Sequence, residues 1–476
     1  MEKKNILVMK FGGTSVGSAE AIQQAVSIIR EECQNWKYVV VVVSAMTKVT
    51  DALIKSARQA VFQDEHTFGV VISDLKKRHY DVVTSLLKDG EEKKLVLRDI
   101  DRFLEELVSY CRSIHIMGEV TARGMDTITS LGERMNARVI AALLNQIGVR
   151  SQAVDASHLI VTDATFQNAV PLMDKTRKKS RKLLLPLLES GMTPIVTGFI
   201  GATEEGFITT LGRGGSDFTS SILGKCLDAD EVWTLTDVNG VLSADPRIVP
   251  NARIIPEISY NEVGEMAYFG AKVLHPKTIR PVIEANIPLR VKNTFNPSNP
   301  GTLICNQPTI VGEMITAITT IKDLSMITVE GRGMLGVPGI AARTFSAVAR
   351  TGASVLMISQ SSSEQSICFV IPKEDTDQVI RSLEEEMELE LMRRDIDSIW
   401  AENNIVILTA IGARLRHTPG VSAKVFGALG KAEINVIAVA QGSSKYSISL
   451  VIKEEDANEA VRRVHQDVIE GERNHE

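Results

Sequence analysis

Lys10 stands against two glycines, Gly12 and Gly13, in the stretch KFGGTSVGS that follows the apolar run Ile6-Leu7-Val8-Met9. A lysine is costly to bury without a partner, and adjacent glycines cost backbone entropy unless the chain needs a positive φ or close approach by another group. Together they describe an anion site, in which the backbone N–H groups of a glycine turn feed a helix N-terminus and an ammonium adds a point charge. The plain structural alternative is a strand-to-helix turn with a lysine snorkelling to solvent. A second cluster, TTLGRGGSD, sets Arg213, Gly214, Gly215, Ser216 and Asp217 ahead of the helical run FTSSILGKCL. Its guanidinium fork suits bidentate pairing with carboxylate or phosphate. Here the structural alternative is a helix capped by Ser216 or Asp217. The GxxxxGK[ST], HRD and DFG patterns are absent, so a phosphate bound here is held by neither a P-loop NTPase nor a protein kinase. Gly331-Arg-Gly333-Met-Leu-Gly336 matches GxGxxG, yet the first acidic residue after it is Glu364, too far on for a ribose contact. It reads as a turn feeding a helix.

These residues need a scaffold. The first 300 residues alternate apolar strand-like runs with longer helical patterns: Tyr38 to Val43, PIVTGFIG from Pro194, EVWTLTD from Glu231 and PLRVKN from Pro288. That alternation predicts an α/β domain over 1–300, a sheet covered by helices on both faces, with the valine run a buried parallel strand. A charged, helix-periodic stretch over about 62–125 predicts a helical insertion or lid. Beyond the turn-rich FNPSNPGTLI the composition changes and a repeat appears. Gln360 in ISQSSSEQSICFVI and Gln441 in VAQGSSKYSISLVI are 81 residues apart. The same offset pairs Gly331 with Gly412, Pro338 with Pro419, Phe345 with Phe426 and Glu374 with Glu455. Two copies of one unit, at 312–395 and 396–476, are expected, each reading strand, glycine turn, helix, strand, hairpin, strand, helix.

Composition narrows the class. At 476 residues and 44% hydrophobic content the chain has room for roughly three domains with real cores. A net charge of −6 gives no sign of a nucleic-acid partner. The basic run Lys175 to Lys182 reads as the solvated face of a helix. Five scattered cysteines without a CxxC pair indicate neither a disulfide framework nor a zinc site and fit a reduced cytoplasm. The N-terminus has no signal-peptide pattern, and no run is long enough to span a membrane.

KFGGTSVGS, VVSAMTKVTDAL, LGERM, TTLGRGGSD, LTDVNGVLSADPR and FGAKVLHP, in this order, resemble the amino-acid kinase family and within it the aspartokinases. The repeated C-terminal unit resembles their tandem ACT domains. The resemblance implies an amino-acid kinase fold, a central mainly parallel sheet between helices, followed by two ferredoxin-like βαββαβ ACT domains. It implies ATP-dependent phosphorylation of the side-chain carboxylate of L-aspartate, with Mg2+ as cofactor and with no residue assigned as a metal ligand. By the same resemblance Lys10 bridges and stabilises the transferring phosphoryl group, Gly12 and Gly13 cradle phosphate oxygens, and Thr50, Glu133, Arg213 and Ser216 hold aspartate. Thr236, Asp237, Arg247 and Lys272 then lie around the nucleotide. Leu242 stands where related enzymes often carry tyrosine, which removes one nucleotide contact. An aspartate carboxylate, with a pKa of about 3.9, is already ionised at pH 7. No general base is required, and Asp217 reads as an orienter of Lys10 or of the substrate ammonium. In the ordinary amphipathic pattern LGERMNARVIAALL, a surface glutamate is the structural alternative for Glu133.

The QSSS and QGSS elements resemble those of threonine-sensitive aspartokinases, notably the ones fused to homoserine dehydrogenase. They imply L-threonine as feedback effector at Gln360 and Gln441, whose amides can meet a hydroxyl and an α-carboxylate. The alternative is that these polar residues only form hairpin turns. A lysine effector would want a carboxylate in both copies, but the equivalent positions hold Glu364 and Lys445. The family also implies a homodimer or larger through the ACT sheets. After Glu476 the sequence leaves no length for a fused dehydrogenase. Two other classes stay open: a kinase of the same fold acting on glutamate, acetylglutamate or a nucleotide, and a catalytically dead amino-acid sensor.

Overall fold

A computed structural model describes residues 5–62, 65–271, 274–309, 314–334, 337–360, 365–415, 418–441 and 445–471. The chain divides into two compact units. The first comprises Met1–Val241, Ile254–Tyr260 and Val273–Thr309, and the second Leu242–Arg253, Asn261–Lys272 and Ile310–Glu476.

The first unit is built on β1 (Ile6–Phe11), β2 (Tyr38–Val43), β3 (Ser151–Val154), β4 (Thr193–Thr197), the hairpin β5 (Ile200–Ala202) and β6 (Ile208–Thr210), then β7 (Glu231–Thr236), β8 (Glu257–Ser259), β9 (Leu289–Asn293) and β10 (Thr302–Cys305). Eight strands form one sheet in the order β3-β4-β2-β1-β7-β9-β10-β8. The pairs from β3 to β9 are parallel, and β10 runs antiparallel to β9. β1 and β2 are almost wholly buried, as an all-apolar run in a two-sided parallel sheet must be. Lys10 is the one charge on β1 and is 7% exposed. The helix Ala19–Asn35 follows, with the Ser18 hydroxyl accepting the Ala21 N–H at 3.2 Å.

The charged stretch forms helices Glu65–Leu86, Glu91–Met117 and Ala122–Thr129. Phe68, Leu75, Val83, Ile100, Leu104 and Leu107 join the same hydrophobic cluster as Leu7, Met9 and Val41 of the sheet. The insertion is therefore part of the core rather than a detached flap. The basic run lies on the helix Met173–Glu189, where Arg177 and Arg181 reach Asp228 at 2.7 and 2.8 Å.

The second unit carries an antiparallel sheet of β11 (Ala317–Glu330), β12 (Met357–Gln360), β13 (Ser366–Pro372), β14 (Ser398–Ile411), β15 (Ala438–Ala440) and β16 (Ser447–Lys453), in the order β12-β13-β11-β14-β16-β15. β11 and β14 are each 14 residues long and pair along their length, with a register shift between Ile321 and Leu324. Each strand serves both repeats. Ile315 and Ile318 pack with Val406, Leu408 and Leu450 in one core, while Ile399 and Ala401 pack against Ile327, Val329 and Phe369 in the other. Gly331 and Gly412 repeat for a steric reason, since a Cβ at either would come 2.2 Å from the carbonyl oxygen of Asp395 or Met314. Those two carbonyls are themselves 81 residues apart, so the glycine of each repeat packs on the segment entering the shared strand. Among the described residues no helix is long and apolar enough to cross a membrane.

Candidate active site

At the C-terminal ends of the parallel strands, where ligands bind in open α/β sheets, the first unit encloses a cavity of about 620 Å³. Lys10, Gly13, Thr50, Glu133, Arg213, Ser216 and Asp217 all line it. Residues separated by as many as 207 positions are thus gathered by the ends of β1 and β2, the helices Val49–Phe62 and Leu131–Gln146, and the helix Gly215–Leu227. Lys10 Nζ lies 2.8 Å from Asp217 Oδ1. Asp217 therefore aims the ammonium. The helix carrying Ser216 and Asp217 is capped by Gly214 at φ 72°, so neither side chain is its cap and both stand in the first turn. Gly198 permits this packing, since a Cβ there would come 2.6 Å from Ser216 Oγ. The Arg213 guanidinium is exposed and makes no ion pair among the described residues.

Glu133 is no surface residue. It is 4% exposed, its Oε2 has no hydrogen-bond partner among the described residues, and burial pushes its carboxyl up to about 8 despite a backbone N–H from Ala45. The cavity lining holds four cations, Lys10, Lys48, Arg58 and Arg213, against the carboxyls of Asp51, Asp126, Glu133 and Asp217. With Glu133 protonated at neutral pH the lining is net positive, which suits anionic substrates.

The sequence did not point to Asp126. It is 1% exposed; Oδ1 accepts the Thr210 hydroxyl at 2.7 Å, and Oδ2 accepts the N–H groups of Gln167 and Thr210 at 2.9 and 3.0 Å. Burial raises its pKa while these donors lower it. It ties the insertion to the strand that leads into the Arg213 loop. Asn136, one turn from Glu133, donates from Nδ2 to Ser44 O at 2.7 Å and holds the end of β2. Arg78 of the insertion donates from Nη2 to Gly17 O at 3.1 Å, bracing the KFGGTSVGS turn. A buried acid in GMDTIT and a polar residue at i+3 from Glu133 were the only sequence signals for the first two, and both patterns are common.

Other expected residues lie elsewhere. The Gly12 N–H donates to Leu235 O at 3.1 Å, so it is committed to the sheet and cannot also serve a phosphate. A Cβ at Gly12 would stand 3.5 Å from Lys10 Nζ, so this glycine provides room beside the ammonium. Thr236 and Asp237 follow at the end of β7, with Thr236 Oγ1 3.0 Å from Asp237 Oδ1, and do not line the cavity. Arg247 is exposed, paired with Asp245 at 2.6 Å, on a segment that packs with the second unit. Lys272 lies outside the described residues. Gln360 ends β12 and Gln441 follows β15, both exposed; the serines after each lie outside the described residues.

A lysine–aspartate pair beside a glycine turn, at the end of a parallel sheet with helices on both sides, defines a class of phosphate-handling α/β enzymes. Residues 5–293 match the model of the amino acid kinase family, and residues 327–387 and 408–468 each match an ACT domain. Aspartokinase 3, chloroplastic, of Arabidopsis thaliana is 34% identical over 483 residues, covering 98% of this chain and 82% of that protein. The bifunctional aspartokinase/homoserine dehydrogenase 1, chloroplastic, of Zea mays is 39% identical over 464 residues, covering 96% of this chain and 50% of that protein. The chain thus spans about half the length of the curated bifunctional relatives it matches. The crystal structure of E. coli aspartokinase III in complex with aspartate and ADP aligns with a TM-score of 0.79 at 29% identity, covering 98% of this chain and 100% of that one. The Clostridium acetobutylicum aspartate kinase aligns at 0.81 and 28%, covering 97% and 100%. The chain belongs to the amino acid kinase family, among the aspartokinases with tandem ACT domains.

Proposed function

We propose that the chain transfers the γ-phosphoryl group of ATP to the side-chain carboxylate of L-aspartate, giving 4-phospho-L-aspartate and ADP. The observation that carries this reading is the Lys10–Asp217 pair sharing one cavity with Arg213, Ser216 and the unpartnered oxygen of Glu133. Arg213 and Ser216 receive the α-carboxylate, and Glu133 receives the α-ammonium once it has lost its proton. Thr50 closes the aspartate end. The substrate carboxylate oxygen attacks phosphorus as the bond to the β–γ bridging oxygen breaks. Lys10, held by Asp217, meets the charge on the moving group. Arg247, Lys272, Thr236 and Asp237 serve the nucleotide, with Gly13 beside its phosphates. Among the described residues no group of three or more acidic, histidine or cysteine side chains could hold a metal. Magnesium would enter on the ATP phosphates and neutralise part of their charge, as that ion does when it keeps most of its waters.

The ACT pair then acts as the regulatory site, with L-threonine bound near Gln360 and Gln441 as feedback inhibitor of the pathway to lysine, threonine and methionine. The resemblance of QSSS and QGSS supports the effector. E. coli aspartokinase III has been solved with lysine and aspartate, which makes lysine the competing effector to test. A second copy docks on the ACT sheet, whose edge strands expose Ile358 at 51% and Val439 at 39%. The test is ADP release with aspartate, glutamate or acetylglutamate, each with and without threonine and lysine. Turnover with aspartate alone, weakened about 5- to 150-fold by threonine, is expected. Turnover with glutamate instead overturns the substrate, inhibition by lysine alone overturns the effector, and unchanged threonine sensitivity in a Gln360→Ala, Gln441→Ala double variant overturns its site.

A further inference from the structure

A groove of about 400 Å³ in the first unit is lined by Trp36, Glu231, Trp233, Arg290 and Lys292, and shares no lining residue with the catalytic cavity. Trp233 and Arg290 are paired neighbours on β7 and β9, and Lys292 lies two residues along on the same sheet face. Trp36 comes from the end of the first helix and meets Trp233 edge to face at 6.5 Å.

Two donors at this groove, the Trp233 indole N–H and the Lys292 ammonium, have no hydrogen-bond or ion-pair partner among the described residues. Arg290 Nε donates to Glu231 Oε1 at 2.6 Å, and Trp36 Nε1 donates to Glu32 Oε2 at 3.1 Å, so one oxygen of each carboxylate is engaged. The Trp233 indole is 7% exposed, and its Nε1–H has no partner among the described residues. Lys292 Nζ sits 4.5 Å over the Trp233 ring and makes no ion pair among the described residues. Burial lowers its pKa, while Glu32 raises it through space. An unfilled indole N–H beside an unpaired ammonium favours a ligand that carries negative charge.

We propose that this groove is a second ligand site, which takes the oxyanion of a small metabolite, a phosphate ester or a carboxylate, between Lys292 and Trp233. The site goes beyond the kinase reading and does not depend on it.

Two of the three tryptophans in the chain line the groove, so binding reads out as intrinsic fluorescence. The full chain carrying Lys10→Ala and Arg213→Ala, which removes two of the cations lining the catalytic cavity, is titrated with inorganic phosphate and separately with succinate, at constant ionic strength held by KCl. A saturable change with either anion is expected, and the anion that saturates names the chemical source. Lys292→Met raises the half-saturation concentration at least about tenfold, and Lys292→Arg restores it to within about threefold. Lys292→Gln serves the same comparison if the methionine variant does not fold. Fluorescence that follows only ionic strength, or a Lys292 variant that is folded and binds as the parent does, overturns the site.

Discussion

Lys10 and Lys292 stand on strands of one sheet, and their surroundings are opposite. Lys10 meets a carboxylate at 2.8 Å, while Lys292 rests on an indole ring with no carboxylate at ion-pair distance among the described residues. A buried ammonium that is paired is held in one position, which is what a developing phosphoryl charge requires. A half-buried ammonium without a partner keeps unspent attraction for an anion. The lesson is that residue type alone does not tell a cation fixed by a carboxylate from one left open; the partner does.

The largest effect expected from breaking this contrast is at the paired lysine. Lys10→Ala lowers kcat by about 10³-fold with the circular dichroism spectrum unchanged, because its charge acts in the transition state. A variant with most of the parental kcat would remove Lys10 from the chemistry. Asp217→Asn keeps the shape but releases the ammonium, and kcat falls about 10²-fold through misplacement. Its pH–rate profile keeps the parental acidic limb; a limb lost with the carboxylate would make Asp217 a base.

Glu133 sharpens the comparison from the acidic side. Its ionised form is the one that pairs with the aspartate ammonium, so KM for aspartate falls as pH rises toward about 8, at up to about tenfold per unit. Glu133→Gln flattens that dependence and raises KM. In the ligand-free protein the sign is reversed. The fold holds this proton from the unfolded value of 4.5 up to about 8, so its contribution to stability is full at low pH and is lost as pH rises through that window. Thermal midpoints of parent and Glu133→Gln, measured from pH 5 to 8.5, should diverge as pH rises, the parent falling relative to the variant. The smallest effect is expected at the unpaired lysine: Lys292→Met leaves kcat without added anion within about twofold, and a larger loss would place Lys292 in the catalytic path.

Much of the fold was legible because its signals are local. Valine runs in a two-sided sheet, the Ser18 cap and the 81-residue repeat are written in short stretches or in one offset. Motif resemblance named Lys10, Glu133, Arg213, Ser216 and Asp217, which the fold gathers around one candidate cavity. The supports were not legible. Asp126 and Arg78 work through partners 84 and 61 residues away, and no local pattern announces such a bond. The exchange of β11 and β14 between the repeats was hidden for a similar reason, since a duplicated sequence fits swapped and unswapped cores equally well.

The sequence by itself determined which residue types stand at the glycine turns and that two copies of one unit follow them, because composition and spacing are properties of the chain. Only the tertiary structure decided that the Gly12 N–H is committed to Leu235 and that Glu133 is buried with one oxygen unpartnered. It alone decided, too, that one lysine is paired and another is not. Burial and pairing depend on what the rest of the chain places within a few ångströms, and that energy of desolvation and contact does not exist until the chain has folded.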